Sequence, residues 1–148
     1  MNLDYQYGIV GAGFGGLIAA LRLKESNRNS FIIFEKANEL GGTWRDNIYP
    51  GCACDVPSPL YSIASQPNPK WSKLFSPQAE ILNYLKEVSQ KNDIEPKIRY
   101  NAEIVAMNFI KNGGYWRLED INGKITNVKM VILALGPLNR PIIPKLKG

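Results

Sequence analysis

Three glycines, Gly11, Gly13 and Gly16, stand in GxGxxG spacing just after the apolar run YQYGIV, and an acid, Glu35, closes the next apolar run. Each glycine suits a separate physical need. Gly11 permits a tight turn out of a strand, Gly13 lets the backbone approach a pyrophosphate, and Gly16 lets a helix pack closely on the strand. A helix opening at this point offers free N–H groups and the positive end of its dipole to an anion. Glu35 follows Gly11 by 24 positions, against the ~20 expected of an acid that accepts from ribose hydroxyls. The pattern reads as a dinucleotide site without naming the dinucleotide; an ordinary strand-to-helix turn with a surface glutamate is the plainer alternative.

Those residues need two strands and a helix to hold them. YQYGIV (5–10) and FIIF (31–34) suit buried parallel strands. Between them Phe14, Leu17, Ile18 and Leu21 recur at helical spacing, with Arg22, Lys24 and Glu25 towards an exposed end, which completes a βαβ unit. Residues 36–73 have no sustained period but carry Trp44, Tyr49, Tyr61 and Trp71, large rings foreign to a disordered linker, so a functional loop region is expected. Ser76 and Pro77 predict an N-cap and first helical residue, Glu80 a capping box, and Ile81, Leu82, Leu85 and Val88 the apolar face of a helix running to about Lys91. Three strand-like runs follow, punctuated by Asn112-Gly113 and Asn122-Gly123, and predict a β-meander. The last run, 128–135, reads as a buried strand that rejoins the parallel sheet before Gly136-Pro137 and a proline-rich tail. The expected class is α/β: a Rossmann-like half-domain, a parallel sheet with a βαβ unit and an inserted antiparallel meander.

Composition narrows the chemistry. At 148 residues, 45% hydrophobic and 21% charged, the chain fits one globular domain. Its net charge of +5 is scattered, and without an interleaved basic and aromatic patch no nucleic-acid partner is expected. No apolar stretch approaches the ~18 residues of a membrane span, and the start lacks a secretory pattern, so the cytosol is the expected location. Zero histidines excludes His triads, His-ligated zinc and imidazole acid/base chemistry within these residues. Cys52 and Cys54 make no metal site alone and stand too close for a comfortable disulfide, so reduced thiols and no metal are expected.

The dinucleotide is narrowed by Gly41-Gly42-Thr43-Trp44, followed by Tyr49-Pro50-Gly51 and Asp55. This run resembles the class B flavoprotein monooxygenases, above all their Baeyer-Villiger branch, in which GGTW and YPGxxxD follow the ribose-binding acid. The resemblance continues through DVPSPLYS (55–62), PNPKW (67–71), Phe75-Ser76-Pro77, the meander and ALGPLNRPIIPKLKG (134–148). It implies FAD as cofactor, with Gly11, Gly13, Phe14 and Gly16 at its pyrophosphate and Glu35 at the adenosine ribose. It places Gly42, Thr43 and Trp44 along the ribityl chain and ring, Asp55 and Tyr61 near the isoalloxazine, and the backbone of Ile104 at adenine. The strand end at 134–136, with Gly136, would pack against the cofactor, and Ala53, Cys54 and Asp55 would approach NADP. Asp55 is the catalytic candidate, a carboxylate able to orient flavin and nicotinamide together; a loop cap on nearby N–H groups is its alternative, as a core aromatic is for Trp44.

The implied activity is NADPH- and O2-dependent oxygenation of a small-molecule ketone or soft heteroatom compound. Departures from the family pattern are Ile48 and Ala53, where many members have Arg, and ALG in place of ATG at 134–136. The family's FxGxxxHxxxW fingerprint is expected just past Gly148. Residues 1–148 are thus expected to be the N-terminal part of an FAD-binding domain, with the remainder of that domain and the NADPH-binding domain outside them. A stand-alone flavin-binding module or a truncated, inactive remnant are the alternatives. A fragment of an NAD-dependent dehydrogenase is a third, against which GGTW with YPG argues.

Overall fold

The run YQYGIV forms strand β1 (Tyr5–Val10), and FIIF forms β2 (Phe31–Phe34), with α1 (Phe14–Glu25) between them. A one-turn helix α2 (Thr43–Asp46), α3 (Gln78–Lys91), β3 (Ile98–Arg99), β4 (Ile104–Ile110), β5 (Tyr115–Asp120) and β6 (Ile125–Leu133) follow. The computed structural model describes residues 3–139 and 142–146; Arg140, Pro141, Lys147 and Gly148 of the family-like tail lie outside them.

All six strands join one sheet in the order β3-β2-β1-β6-β5-β4. β1 is flanked by parallel partners, β2 from Tyr7↔Phe31 to Val10↔Phe34 and β6 from Tyr5↔Val128 to Val10↔Leu133. The expected α/β class and βαβ unit stand. The meander is joined to the parallel sheet through β6, which pairs antiparallel with β5 from Ile125 to Val128 and parallel with β1 from Val128 onward. Because β5 stops pairing at Val128, Leu133 and Leu135 are exposed and Val131 and Ile132 only half-buried, so the expected buried strand is not fully covered among the described residues.

FIIF is buried at all four positions because both faces of the sheet are covered. Phe31 and Ile33 pack with Leu17, Leu21, Ile81 and Leu85 from α1 and α3, while Ile32 and Phe34 pack with Leu118 and Val128 of the meander. Gly8 makes room for that second layer: a Cβ there would stand 3.0 Å from Leu118 Cδ1.

One local expectation, the capping box of α3, is corrected. α3 begins at Gln78 after Pro77, with no side-chain cap. Ser76 Oγ lies 2.8 Å from Ser58 Oγ, and Glu80 accepts from the Ser72 N–H and hydroxyl, both at 2.8 Å. Partners in the preceding loop have taken both members of the capping box. In the first hairpin the left-handed residue is Gly114 (φ +60°), one place past Asn112-Gly113, whereas the second does use Gly123 (φ +76°). Among the described residues no helix is long and apolar enough to cross a membrane.

Leu118 is fully buried, so Leu118→Ala should cost about 2–5 kcal/mol of unfolding free energy in a urea titration, as a cavity-forming core substitution does.

Candidate functional site

At the C-terminal ends of β1, β2 and β6 the backbone segments approach one another so closely that side chains are excluded. Gly11 (φ +106°) leaves β1 and donates its N–H to Phe34 O at 2.8 Å; a Cβ on it would meet Ala134 O at 2.4 Å. A Cβ on Gly16 would meet Gly11 O at 1.9 Å, so the first turn of α1 lies directly on the loop. Gly13 is the N-cap of α1; no side chain caps it and no acid occupies the first turn, which leaves that helix end able to donate to an anion. The second glycine pair abuts the first. Gly41 donates its N–H to Ala12 O at 3.0 Å, and a Cβ on Gly42 (φ +54°) would stand 3.2 Å from Gly13 Cα.

Glu35 is buried beneath these loops rather than free at the surface. Its Oε2 accepts the Ala12 N–H at 2.8 Å, and its Oε1 accepts the Ala37 N–H at 3.0 Å and Arg45 Nη1 at 2.9 Å. Arg45 also donates to Glu39 O at 2.7 Å and to both oxygens of Asp46. Burial works against the guanidinium charge, but Asp46 and Glu35 outweigh it and hold its pKa above the usual value.

The expected ring residues meet. Trp44 Nε1 donates to Tyr61 Oη at 3.1 Å, with ring centroids 5.4 Å apart, and Phe14 packs edge-on to Tyr61 at 5.1 Å. Trp44 is 7% exposed and belongs to the core cluster beneath α1 and α3. Thr43 opens α2, and its carbonyl accepts from Asn47 Nδ2 at 2.9 Å.

The segment holding Ala53, Cys54 and Asp55 is tied to this group by the start of α3. Cys54 donates its N–H to Ser76 O at 3.1 Å, Gln78 donates its N–H to Cys52 O at 2.9 Å, and the Gln78 side-chain amide donates to Trp44 O. Cys52 and Cys54 are buried free thiols, and Cys54 Sγ donates to Val56 O at 3.1 Å; Ala53 and Asp55 are exposed. Among the described residues the Asp55 carboxylate caps no N–H group. A cleft of about 300 Å³ opens beside Ala53 between Tyr49, Lys73, Phe75 and Gln78.

Ile104 and Gly136 lie on the two flanks. Ile104 is half-buried at the start of β4, two residues after Ala102, whose N–H donates to Glu35 O at 2.9 Å. Gly136 (φ +70°) is exposed, two residues beyond the Ala134 carbonyl that Gly11 abuts. Among the described residues no three potential ligands form a metal cluster. Sequence reasoning passed over Arg45 and Gln78; apart from Arg45 standing next to Trp44, no spacing marks them, because their partners are ten and thirty-four residues away.

A family model described as "NAD(P)-binding Rossmann-like domain" matches residues 9–77. A Baeyer-Villiger monooxygenase of Streptomyces coelicolor is 43% identical over 140 residues, covering 95% of this chain and 27% of its own length. One from Pseudomonas aeruginosa is 40% identical over the same coverage. The crystal structure of OTEMO in complex with FAD and NADP superposes with a TM-score of 0.90 at 27% identity, over all of this chain and 29% of that one. The chain matches the N-terminal portion of Baeyer-Villiger-type flavoprotein monooxygenases. It spans little more than a quarter of the length of these relatives.

The glycine contacts described above can be separated by substitution. Gly51 (φ +81°) has nothing within 4 Å of an added Cβ, so Gly51→Ala should cost only the left-handed strain of about 1–2 kcal/mol. Gly42→Ala adds an encounter with Gly13 Cα at 3.2 Å and should lower the midpoint of a thermal melt further than Gly51→Ala.

Proposed function

We propose that these residues form the FAD-binding part of an NADPH- and O2-dependent Baeyer-Villiger-type monooxygenase acting on a small ketone or soft heteroatom compound. The observation that carries this reading is the uncapped N-terminus of α1 set against the Gly41-Gly42 turn, with no Cβ on either side of the contact. That combination fits a dinucleotide pyrophosphate, because backbone N–H groups can approach it and no acid repels it. When bound, FAD would supply the redox chemistry, passing two electrons from NADPH to O2 so that one oxygen atom enters the substrate and the other leaves as water.

The protein's own residues bind and orient. Gly11, Gly13, Phe14 and Gly16 hold the pyrophosphate end, and Glu35 keeps one oxygen lone pair for a ribose hydroxyl. Gly42, Thr43, Trp44 and Tyr61 form the wall along the ribityl chain and ring, where the Trp44–Tyr61 hydrogen bond fixes both side chains. Ile104 serves adenine through its backbone, and Gly136 closes the strand end. Ala53, Cys54 and the exposed Asp55 face the NADP side, where the Asp55 carboxylate orients the nicotinamide. The protein works in the cytosol, a reducing compartment in which the buried thiols of Cys52 and Cys54 stay reduced.

Fluorescence titration of the full chain with FAD and with NAD+ tests this reading. FAD should bind in preference, and Glu35→Ala should weaken it by about tenfold or more, the worth of a hydrogen bond to a charged group. Preferential binding of NAD+ would point to a dehydrogenase fragment, and an unchanged FAD affinity in Glu35→Ala would remove Glu35 from the ribose.

A further inference from the structure

Glu35 is held in a way that the dinucleotide pattern does not require. Its side chain is 5% exposed and that of Arg45 9%, so the two charges are desolvated together. Two of the three groups bonded to the Glu35 carboxylate are main-chain N–H groups, of Ala12 and Ala37; only Arg45 brings a charge. Arg45 is itself fixed in place. Its Nη1 is shared between Glu35 Oε1 and Glu39 O, while Nε and Nη2 grip the two Asp46 oxygens at 2.7 and 3.0 Å. The planar guanidinium thus links α2 to the loop after β2 through four hydrogen bonds.

The location gives this ion pair its consequence. The Ala12 N–H that Glu35 accepts lies between Gly11 and Gly13, so the carboxylate is attached to the same loop whose helix end suits a pyrophosphate. An ionised carboxylate has roughly four lone-pair sites, and three are engaged within the protein. One remains for an incoming hydroxyl, provided the carboxylate does not rotate. A buried carboxylate deprived of its cation would swing towards water to recover the lost hydrogen bonds.

We propose that Arg45 is a positioning residue for the adenosine ribose: it holds the Glu35 carboxylate oriented so that the one unused lone pair accepts a ribose hydroxyl. The proposal rests on the reading of this site as one for FAD. It assigns Arg45 no contact with the cofactor; its effect passes through Glu35.

The test compares FAD with an FAD analogue whose adenosine lacks the 2′ and 3′ hydroxyls, titrated into the full chain and into Arg45→Met. The ratio of the two dissociation constants isolates the hydroxyl contact, since flavin and pyrophosphate contacts cancel. The unsubstituted chain should bind FAD more tightly than the analogue by about tenfold. Arg45→Met should bring the ratio close to one. Equal weakening of both ligands, with the ratio unchanged, would show a structural role only and overturn the proposal, as would no change in either affinity. A ratio of one in the unsubstituted chain would overturn the ribose reading and the proposal with it, whereas failure to bind FAD at all would overturn the FAD reading itself. If Arg45→Met does not fold, Arg45→Lys decides: an ammonium cannot hold Glu35, Glu39 O and both Asp46 oxygens together, so the ratio should fall by about threefold, and an unchanged ratio overturns the proposal.

Discussion

The structure depends on main chain meeting main chain without side chains between. Gly16 presses on the Gly11 carbonyl, Gly11 on the Ala134 carbonyl, and Gly42 on Gly13, so that α1, β6 and the loop before α2 converge on the end of β1. A methyl group at Gly16 or Gly11 would stand closer to a backbone oxygen than real Cβ atoms do. Relief would require moving a helix or a strand. The GxGxxG spacing is therefore as much a packing rule as a binding rule: the absence of Cβ atoms that lets the segments converge also leaves the first N–H groups of α1 available.

Around that contact, polar and aromatic groups are arranged to limit motion. The Glu35–Arg45 pair gives little net stability by itself, because desolvating two charges consumes most of their attraction. Its value lies in direction, since it joins the glycine loop, the loop after β2 and α2 through one carboxylate. Phe14, Trp44 and Tyr61 make the matching apolar contact on the other side, edge to face, with the Trp44 N–H satisfied by the Tyr61 hydroxyl. Residues from α1, α2 and the loop near residue 60 thereby share one cluster.

The start of α3 organises the long irregular segment. Its first residue, Gln78, bonds to Cys52 through the main chain and to Trp44 through its side chain, and Ser76 and Tyr84 secure Cys54, Ile63 and Gln66. The loops thus obtain their order from a helix that carries none of the expected cofactor contacts. Such a loop region is costly in chain entropy and holds its form only through contacts of this kind.

The sequence by itself determined the βαβ unit, the helix after the loops, the meander, the glycine turns and the likeness to Baeyer-Villiger enzymes, because these depend on local period, on glycine where no side chain fits and on contiguous motifs. It also singled out Trp44 and Tyr61, though not their mutual hydrogen bond. Tertiary structure alone decided that β6 serves both halves of the sheet, that Glu80 bonds Ser72 rather than capping α3, and that Glu35 is buried against Arg45. Each of these is a choice among partners distant in the chain. A strand edge, a carboxylate or a guanidinium can pair with many groups of the right type, and local sequence carries no measure of which one the folded backbone brings within 3 Å. For that reason the identity of the glycines could be read in advance, while Arg45, whose partner Glu35 sits on another element, could not.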